Sequence, residues 1–199
     1  MKPFYFSILV FLAACNFSTQ AEKSQAAWSF KEFVKADDAN PILQPDSSYT
    51  FTCPVRNAQV QWQEKNVLNP TAFVKEGKVY LLYRAQDSAM TSRLGLAISD
   101  DGIHFTKQAN PIFYPANDSL QKYEWHGGVE DPRIVSTEDG GYFLTYTSYD
   151  GKTARLCFAT SKDLLKWKKH GPLLKNEKYI NAWSKSGALV VEQKADQMV

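Results

Sequence analysis

Two stretches of the chain carry the same pattern of apolar and polar positions. The first runs Gly77-Lys78-Val79-Tyr80-Leu81-Leu82-Tyr83, then Arg93-Leu94-Gly95-Leu96-Ala97-Ile98-Ser99, then Asp101 and Phe105. The second runs Gly140-Gly141-Tyr142-Phe143-Leu144-Thr145-Tyr146, then Arg155-Leu156-Cys157-Phe158-Ala159-Thr160-Ser161, then Asp163 and Trp167. Tyr146 follows Tyr83 by 63 positions and Arg155 follows Arg93 by 62, so the two units differ by one loop residue. The runs Val79 to Tyr83 and Tyr142 to Tyr146 are rich in β-branched and aromatic residues, and turns at Asp101-Gly102, Asp139-Gly140 and Asp150-Gly151 punctuate the units. This predicts short antiparallel strands in a meander, with little helix between them.

A repeat of this length implies units that stack or radiate from an axis. A four-stranded unit repeated around an axis is a propeller blade, and about four to eight blades are needed to close a propeller. The chain holds about two such units, and Gly187-Ala188-Leu189-Val190-Val191 reads as a strand of a third. The expected fold is therefore all-β, with residues 41–199 forming the N-terminal two to three blades of a propeller from a longer protein. A complete β-sandwich of two related sheets also gives short strands at regular spacing and is the alternative.

The N-terminus reads as a targeting segment. Lys2 supplies a positive start, Phe4 to Leu12 is a short apolar stretch, and Ala13-Ala14 precede Cys15. The stretch is too short to span a membrane. Leu12-Ala13-Ala14-Cys15 resembles the lipobox of bacterial lipoproteins, which implies cleavage after residue 14, lipidation of Cys15, and an exported domain anchored to a membrane at the periplasm or cell surface. A plain secretory signal with a chance cysteine is the alternative. Residues 15–40 then act as a tether, with Asn16 to Ala27 polar and rich in Ser, Gln and Ala.

Composition removes several function classes. With 44% hydrophobic and 22% charged residues among 199, the chain has a globular balance. Lys+Arg 23 against Asp+Glu 21 leaves a net charge of +2 with no basic block, so nucleic acid is not an expected partner. Aromatics at 14% suit both a sheet core and stacking on sugar rings. Beyond Cys15 only Cys53 and Cys157 remain; two buried thiols are favoured over a pair, although export would permit one. His104, His126 and His170 are dispersed and no CxxC occurs, so no metal site is expected.

Between the two units lies Trp125-His126-Gly127-Gly128-Val129-Glu130-Asp131-Pro132-Arg133-Ile134-Val135. The glycines permit close backbone approach, Val129 and Ile134-Val135 favour a strand, and Pro132 removes a donor from it. The residue before a proline is pushed to extended backbone, which gives Asp131 a defined direction, and period-two alternation turns Glu130 to the other face. Asp131 is thus the candidate acid lining a cavity and Glu130 a support in its wall. An acid catalyst must hold its proton at working pH, which takes desolvation or a like-charged neighbour. Arg133, two positions on, shares the face of Asp131 and would favour the ionised form. It is expected to engage elsewhere, for instance with Glu130, or the proton travels through a substrate hydroxyl. A buried Glu/Asp/Arg ion-pair cluster holding the units together accounts for the same residues, and local chemistry leaves both readings open.

Gly128-Val129-Glu130-Asp131-Pro132-Arg133, with Asn69-Pro70, Leu82-Tyr83-Arg84-Ala85 and Leu94-Gly95-Leu96-Ala97-Ile98-Ser99-Asp100-Asp101-Gly102, resembles glycoside hydrolase family 130 over roughly residues 65–190. The resemblance implies a five-bladed propeller acting with inversion on β-mannosides, as a phosphorylase or a hydrolase. It implies Asp131 as the catalytic acid, protonating the bond through a mannose hydroxyl in the phosphorylases. It further implies Asn69, Arg84 and Asp87 lining the sugar and acceptor subsites, a cationic contact from Arg93, and a positive residue near Lys185. Arg84 and Arg93 as plain surface charges are the alternative for that pair.

A hydrolase needs a carboxylate base opposite the acid with room for water, whereas a phosphorylase needs cationic groups around phosphate. Both sets are expected beyond Val199. Export favours hydrolysis, because a sugar phosphate is retained only in the cytoplasm. The expected partner is a mannose-containing oligosaccharide, with no cofactor, and inorganic phosphate as co-substrate only for a phosphorylase. A lipid-anchored glycan-binding propeller without turnover, using Trp125 and Trp183 as platforms, is the reading from another class.

Overall fold

The computed structural model describes residues 33–190, 193–194 and 197–198. The signal over 1–14, the lipidation site Cys15 and the tether up to residue 32 lie outside the described residues. No helix among the described residues is long and apolar enough to cross a membrane.

The strands follow the repeat. β1 (Thr50–Cys53) and β2 (Ala58–Gln61) form a separate hairpin. β3 (Asn66–Lys75), β4 (Lys78–Gln86), β5 (Ser92–Ser99) and the two-residue β6 (Thr106–Lys107) make a first antiparallel meander. A short helix, α1 (Gln121–Glu124), precedes the second meander of β7 (Gly128–Ser136), β8 (Tyr142–Tyr149), β9 (Ala154–Ser161) and β10 (Trp167–Pro172). β11 (Gln193–Lys194) and β12 (Gln197–Met198) pair with each other.

The predicted turns form as expected, with Gly102, Gly140 and Gly151 at φ 76°, 75° and 93°. Each unit also carries the same polar turn. Asp101 Oδ1 accepts from the amides of Ile103 and His104 at 2.8 Å, and Asp163 Oδ1 accepts from those of Leu165 and Lys166 at 2.9 and 2.7 Å. A side chain that mimics a backbone acceptor closes the turn after β5 and after β9 in the same way.

The two meanders are not the facing sheets of a sandwich. They join edge to edge through one parallel contact, Ser92 against Gly128, into a sheet of order β10-β9-β8-β7-β5-β4-β3 that does not close on itself. The core sits between the units: Leu82, Leu94 and Leu96 of the first pack with Val129, Leu144, Tyr146 and Cys157 of the second, sealed by Ile112 and Phe113. On the other face of β4 and β5, Tyr83, Ala85 and Ala97 pack under Phe51, Cys53 and Trp62 from the β1–β2 hairpin and its exit. Cys53 and Cys157 are separate buried thiols, and burial pushes the Cys157 thiol up to about 11.

One predicted strand does not form. Residues 187–190 carry no regular structure, although the Gly187 carbonyl accepts from Thr145 Oγ1 at 2.6 Å. An apolar run becomes a strand only when a partner edge satisfies its backbone groups.

Candidate active site

The site begins with two prolines. β3 and β7 each contain a register shift of two residues against one, at Asn69-Pro70 between Leu68 and Thr71, and at Asp131-Pro132 between Glu130 and Arg133. Proline has no amide to lose from the ladder, so a bulge settles there at little cost. Asn69 has φ 42° and Asp131 φ 49°. Asn and Asp are among the few residues that tolerate this left-handed region. Asp131 and Asn69 are 62 positions apart, the repeat offset itself, so they are the same position of two units.

This corrects two expectations. Asp131 is not in the extended region, and Glu130 does not face away from it. The extra residue of the bulge breaks the period-two alternation, and both carboxylates meet one guanidinium: Arg84 Nη2 donates to Glu130 Oε1 at 2.7 Å and Nη1 to Asp131 Oδ1 at 3.3 Å. Arg133 pairs with neither, because its Nη1 turns back to the Pro132 carbonyl at 2.7 Å.

Three further residues complete the cluster. Asn69 Nδ2, on β3, donates to Asp131 Oδ1, on β7, at 2.7 Å. Lys185 Nζ lies 3.5 Å from Asp131 Oδ2. Ser92 Oγ accepts from Arg84 Nε at 3.0 Å and donates to Glu130 Oε1 at 3.3 Å. Ser92 reaches this position because Gly128 lets β7 lie against β5: a Cβ there would stand 2.1 Å from the Ser92 carbonyl oxygen, at φ 102°. The cluster thus unites four sequence candidates, Asn69, Arg84, Asp131 and Lys185.

Asp131 is 5% exposed and Glu130 6%, yet their proton affinities move in opposite directions. Burial pushes Glu130 up, the Arg84 charge pulls it down, and the neighbouring Asp131 charge adds to the rise, leaving it above the ordinary carboxylate. Burial also pushes Asp131 up, but the Asn69 hydrogen bond and the Arg84 and Lys185 charges outweigh it and hold the carboxyl below its usual value. Asp131 Oδ1 is engaged by two donors, whereas Oδ2 meets only the longer Lys185 contact among the described residues. Oδ2 is therefore the less engaged oxygen of the carboxylate.

Asp87 and Arg93 belong to a different cluster. Arg93 Nη1 donates to Asp87 Oδ2 at 2.9 Å, with side-chain exposures of 0% and 2%, and Arg56 Nη1 lies 3.3 Å from the same oxygen. Thr91 N donates to Asp87 Oδ1 at 3.0 Å, and Arg93 stacks over Phe51. The second unit repeats the arrangement: Arg155 Nη1 donates to Asp150 Oδ2 at 2.7 Å, and Thr153 N to Asp150 Oδ1 at 2.7 Å. Neither Asp87 nor Arg93 has a described hydrogen bond or ion pair to Asp131 or Glu130. His126, at the start of the motif, is exposed beside Gly151.

Sequence reasoning missed Ser92, for which a lone serine gives no signal, and the convergence of Glu130. The signal for the bulge was available: Pro70 and Pro132 fall at the same offset as the rest of the repeat. No group of three or more metal-ligating side chains occurs among the described residues.

The sequence model of a family described as beta-1,4-mannooligosaccharide phosphorylase matches residues 33–199. A 1,2-beta-oligomannan phosphorylase from Thermoanaerobacter sp. (strain X514) is 36% identical over 144 residues, covering 67% of this chain and 43% of that protein. A solved glycosyl hydrolase from Bacteroides ovatus is 39% identical with TM-score 0.79, over 86% of this chain and 50% of its own. Another solved chain is 40% identical with TM-score 0.80, over 88% of this chain and 51% of its own; it is described with the statement that this family of mannoside phosphorylases contains glycoside hydrolases targeting β-1,2 mannosidic linkages in Candida mannan. The chain spans about half the length of these relatives or less, and its two meanders are part of a five-bladed propeller.

Proposed function

The chain belongs to glycoside hydrolase family 130, and on that premise we propose that the whole protein hydrolyses β-mannosidic bonds with inversion, using Asp131 as its acid. The observation that carries the reading is the asymmetry of the Asp131 carboxylate, whose Oδ1 is tied by Asn69 and Arg84 while Oδ2 is left toward Lys185. A carboxyl held this way has one fixed oxygen and one that can give up a proton.

In this reading Asn69 and Arg84 do double duty, orienting Asp131 and offering N–H groups to sugar hydroxyls. Arg84 and Lys185 favour the ionised carboxylate in the free protein, so Asp131 takes up its proton with the substrate bound; it then gives that proton to a mannose hydroxyl, which passes its own to the glycosidic oxygen. The mannoside itself, on entering, removes water and pushes the carboxyl back up. The base that activates water stands across the sugar, about 6.5–9.5 Å from the acid in inverting enzymes. Glu130 is unsuited to that role, because it shares a guanidinium with Asp131. Asp87 and Arg93 act from behind, holding the β4–β5 connection that carries Arg84 and Ser92.

Two points favour water over phosphate. The solved relatives with the higher identity include a glycosyl hydrolase and one described alongside β-1,2-mannoside hydrolases. An exported enzyme, anchored through lipidated Cys15, would also lose a sugar phosphate to its surroundings. We take a β-1,2-linked mannose oligosaccharide as the substrate class. Phosphorolysis is the second reading, favoured by the description of the family and by the curated relative at 36% identity. Incubating the full-length protein with β-1,2-mannobiose in the absence of phosphate tests the choice. Free mannose supports hydrolysis, whereas mannose 1-phosphate formed only with phosphate reverses it. If binding occurs without either product, the protein is a glycan-binding propeller. A Cys15→Ser change that leaves the protein in the membrane fraction refutes the anchor.

A further inference from the structure

Glu130 takes no part in the proton transfer just described, yet it makes the shortest contact to the residue that reaches Asp131. Arg84 spends Nε on Ser92 Oγ at 3.0 Å, Nη2 on Glu130 Oε1 at 2.7 Å and Nη1 on Asp131 Oδ1 at 3.3 Å. A guanidinium is a rigid planar fork. Two of its nitrogens are therefore fixed by Glu130 and Ser92, and the position of the third follows. Around Asp131 stand the Asn69 amide from β3, the Arg84 guanidinium from β4, Glu130 on β7 itself and the Lys185 ammonium from the segment after β10. Ser92 on β5 faces Glu130. The site holds two cations and two carboxylates, so its charge balances only while Glu130 is ionised.

We propose that Glu130 is a positioning residue for Asp131: it fixes the Arg84 guanidinium through Nη2 and cancels its charge, so that Asp131 remains able to take up a proton. Without Glu130 the two cations would act on Asp131 alone, and an acid that never binds a proton cannot deliver one. The opposed directions of the two carboxyl affinities agree with this: burial raises both, and only at Asp131 do the hydrogen bonds and cations outweigh it.

The test is the titration of the Asp131 side-chain carboxyl, followed by carbon NMR in the full chain without substrate. In Glu130→Gln, which keeps the shape and an oxygen for Arg84, the Asp131 midpoint is expected to fall by about one pH unit, the size of effect that one neighbouring charge has on a carboxylate. An unchanged or raised midpoint overturns the proposal. Glu130→Asp withdraws the charge from Arg84 by one methylene and should give a smaller fall in the same direction; no fall there overturns the proposal even if the Gln variant does not fold. The inference rests on the reading of Asp131 as acid only for its effect on rate. In active protein the alkaline limb of the kcat profile should move down with the midpoint, which a purely structural role for Glu130 would not produce. A shifted titration without any mannoside cleavage in the wild type would sink the functional reading and leave the positioning role standing.

Discussion

The two meanders are built on one template and diverge where chemistry is needed. Each has a proline bulge on its first strand, an Asp–Arg pair across the connection between its second and third strands, and a Ser-x-Asp turn after the third. The scaffold positions keep their charge from one unit to the next. The positions that meet between the units do not: Asn69 becomes Asp131, and Arg84 becomes Thr147. An amide opposite a carboxylate gives a donor opposite an acceptor, and the two bond at 2.7 Å. Identical carboxylates at both bulges would repel, and identical amides would hold no proton. Difference where the units meet, on a shared frame, is what makes a site out of a repeat.

Making the bulges alike should have the largest effect. Asp131→Asn removes the only ionisable group of the pair and is expected to lower kcat on a β-mannoside by about 10²- to 10⁴-fold, the usual contribution of a general acid, with ligand affinity retained in a binding assay. Unchanged turnover would take Asp131 out of the acid role. Next come the paired scaffold acids, which sharpen the comparison through burial. Asp87→Asn leaves Arg93, whose side chain is 0% exposed, without its partner, and should cost about 3–5 kcal/mol in urea unfolding. Asp150→Asn breaks the equivalent pair where the acid is 18% exposed, so its cost should be smaller, about 1–3 kcal/mol. Equal losses would deny that burial separates the two units.

Smaller again is Asn69→Ala, which deletes one hydrogen bond to a charged group. A fall in kcat/KM of roughly 10- to 100-fold is expected, together with a higher Asp131 midpoint, because the Asn69 bond is one of the influences that lower it. The smallest effect is a dependence on pH. Burial pushes Asp150 up, but the Thr153 amide and the Arg155 hydrogen bond hold it below the usual carboxylate value. A carboxyl depressed on folding stabilises above its unfolded pKa of about 3.9 and loses that contribution as pH falls through its folded value. The destabilisation by Asp150→Asn should therefore be full at pH 7 and shrink below about pH 4. A constant difference across that range would show that its hydrogen bonds, and not its charge, carry the contribution.

The sequence made the repeat, the Asp-Gly turns and the scarcity of helix legible, because strand alternation and turn chemistry are local signals. It also singled out Asp131, Asn69, Arg84 and Lys185, which the fold brings together. It misdirected Glu130 because alternation holds only within an unbroken ladder, and a bulge is decided by the register of the partner strand. Asp87 and Arg93 were grouped with the sugar-facing residues, although Asp150 and Arg155 stand at the same offsets and mark the pair as a part of each unit's frame. Gly187 to Val191 reads as a strand of a third unit, yet residues 187–190 form none, because a strand is a property of two edges rather than one.

Among the described residues, the ladder contact between Ser92 and Gly128 is the seam at which the two meanders meet edge to edge. Asn69 and Arg84 stand on one side of that seam and Glu130 and Asp131 on the other, so the carboxylate and its donors are stitched across it. Any side chain at residue 128 would wedge the seam apart and draw the carboxylate away from its donors.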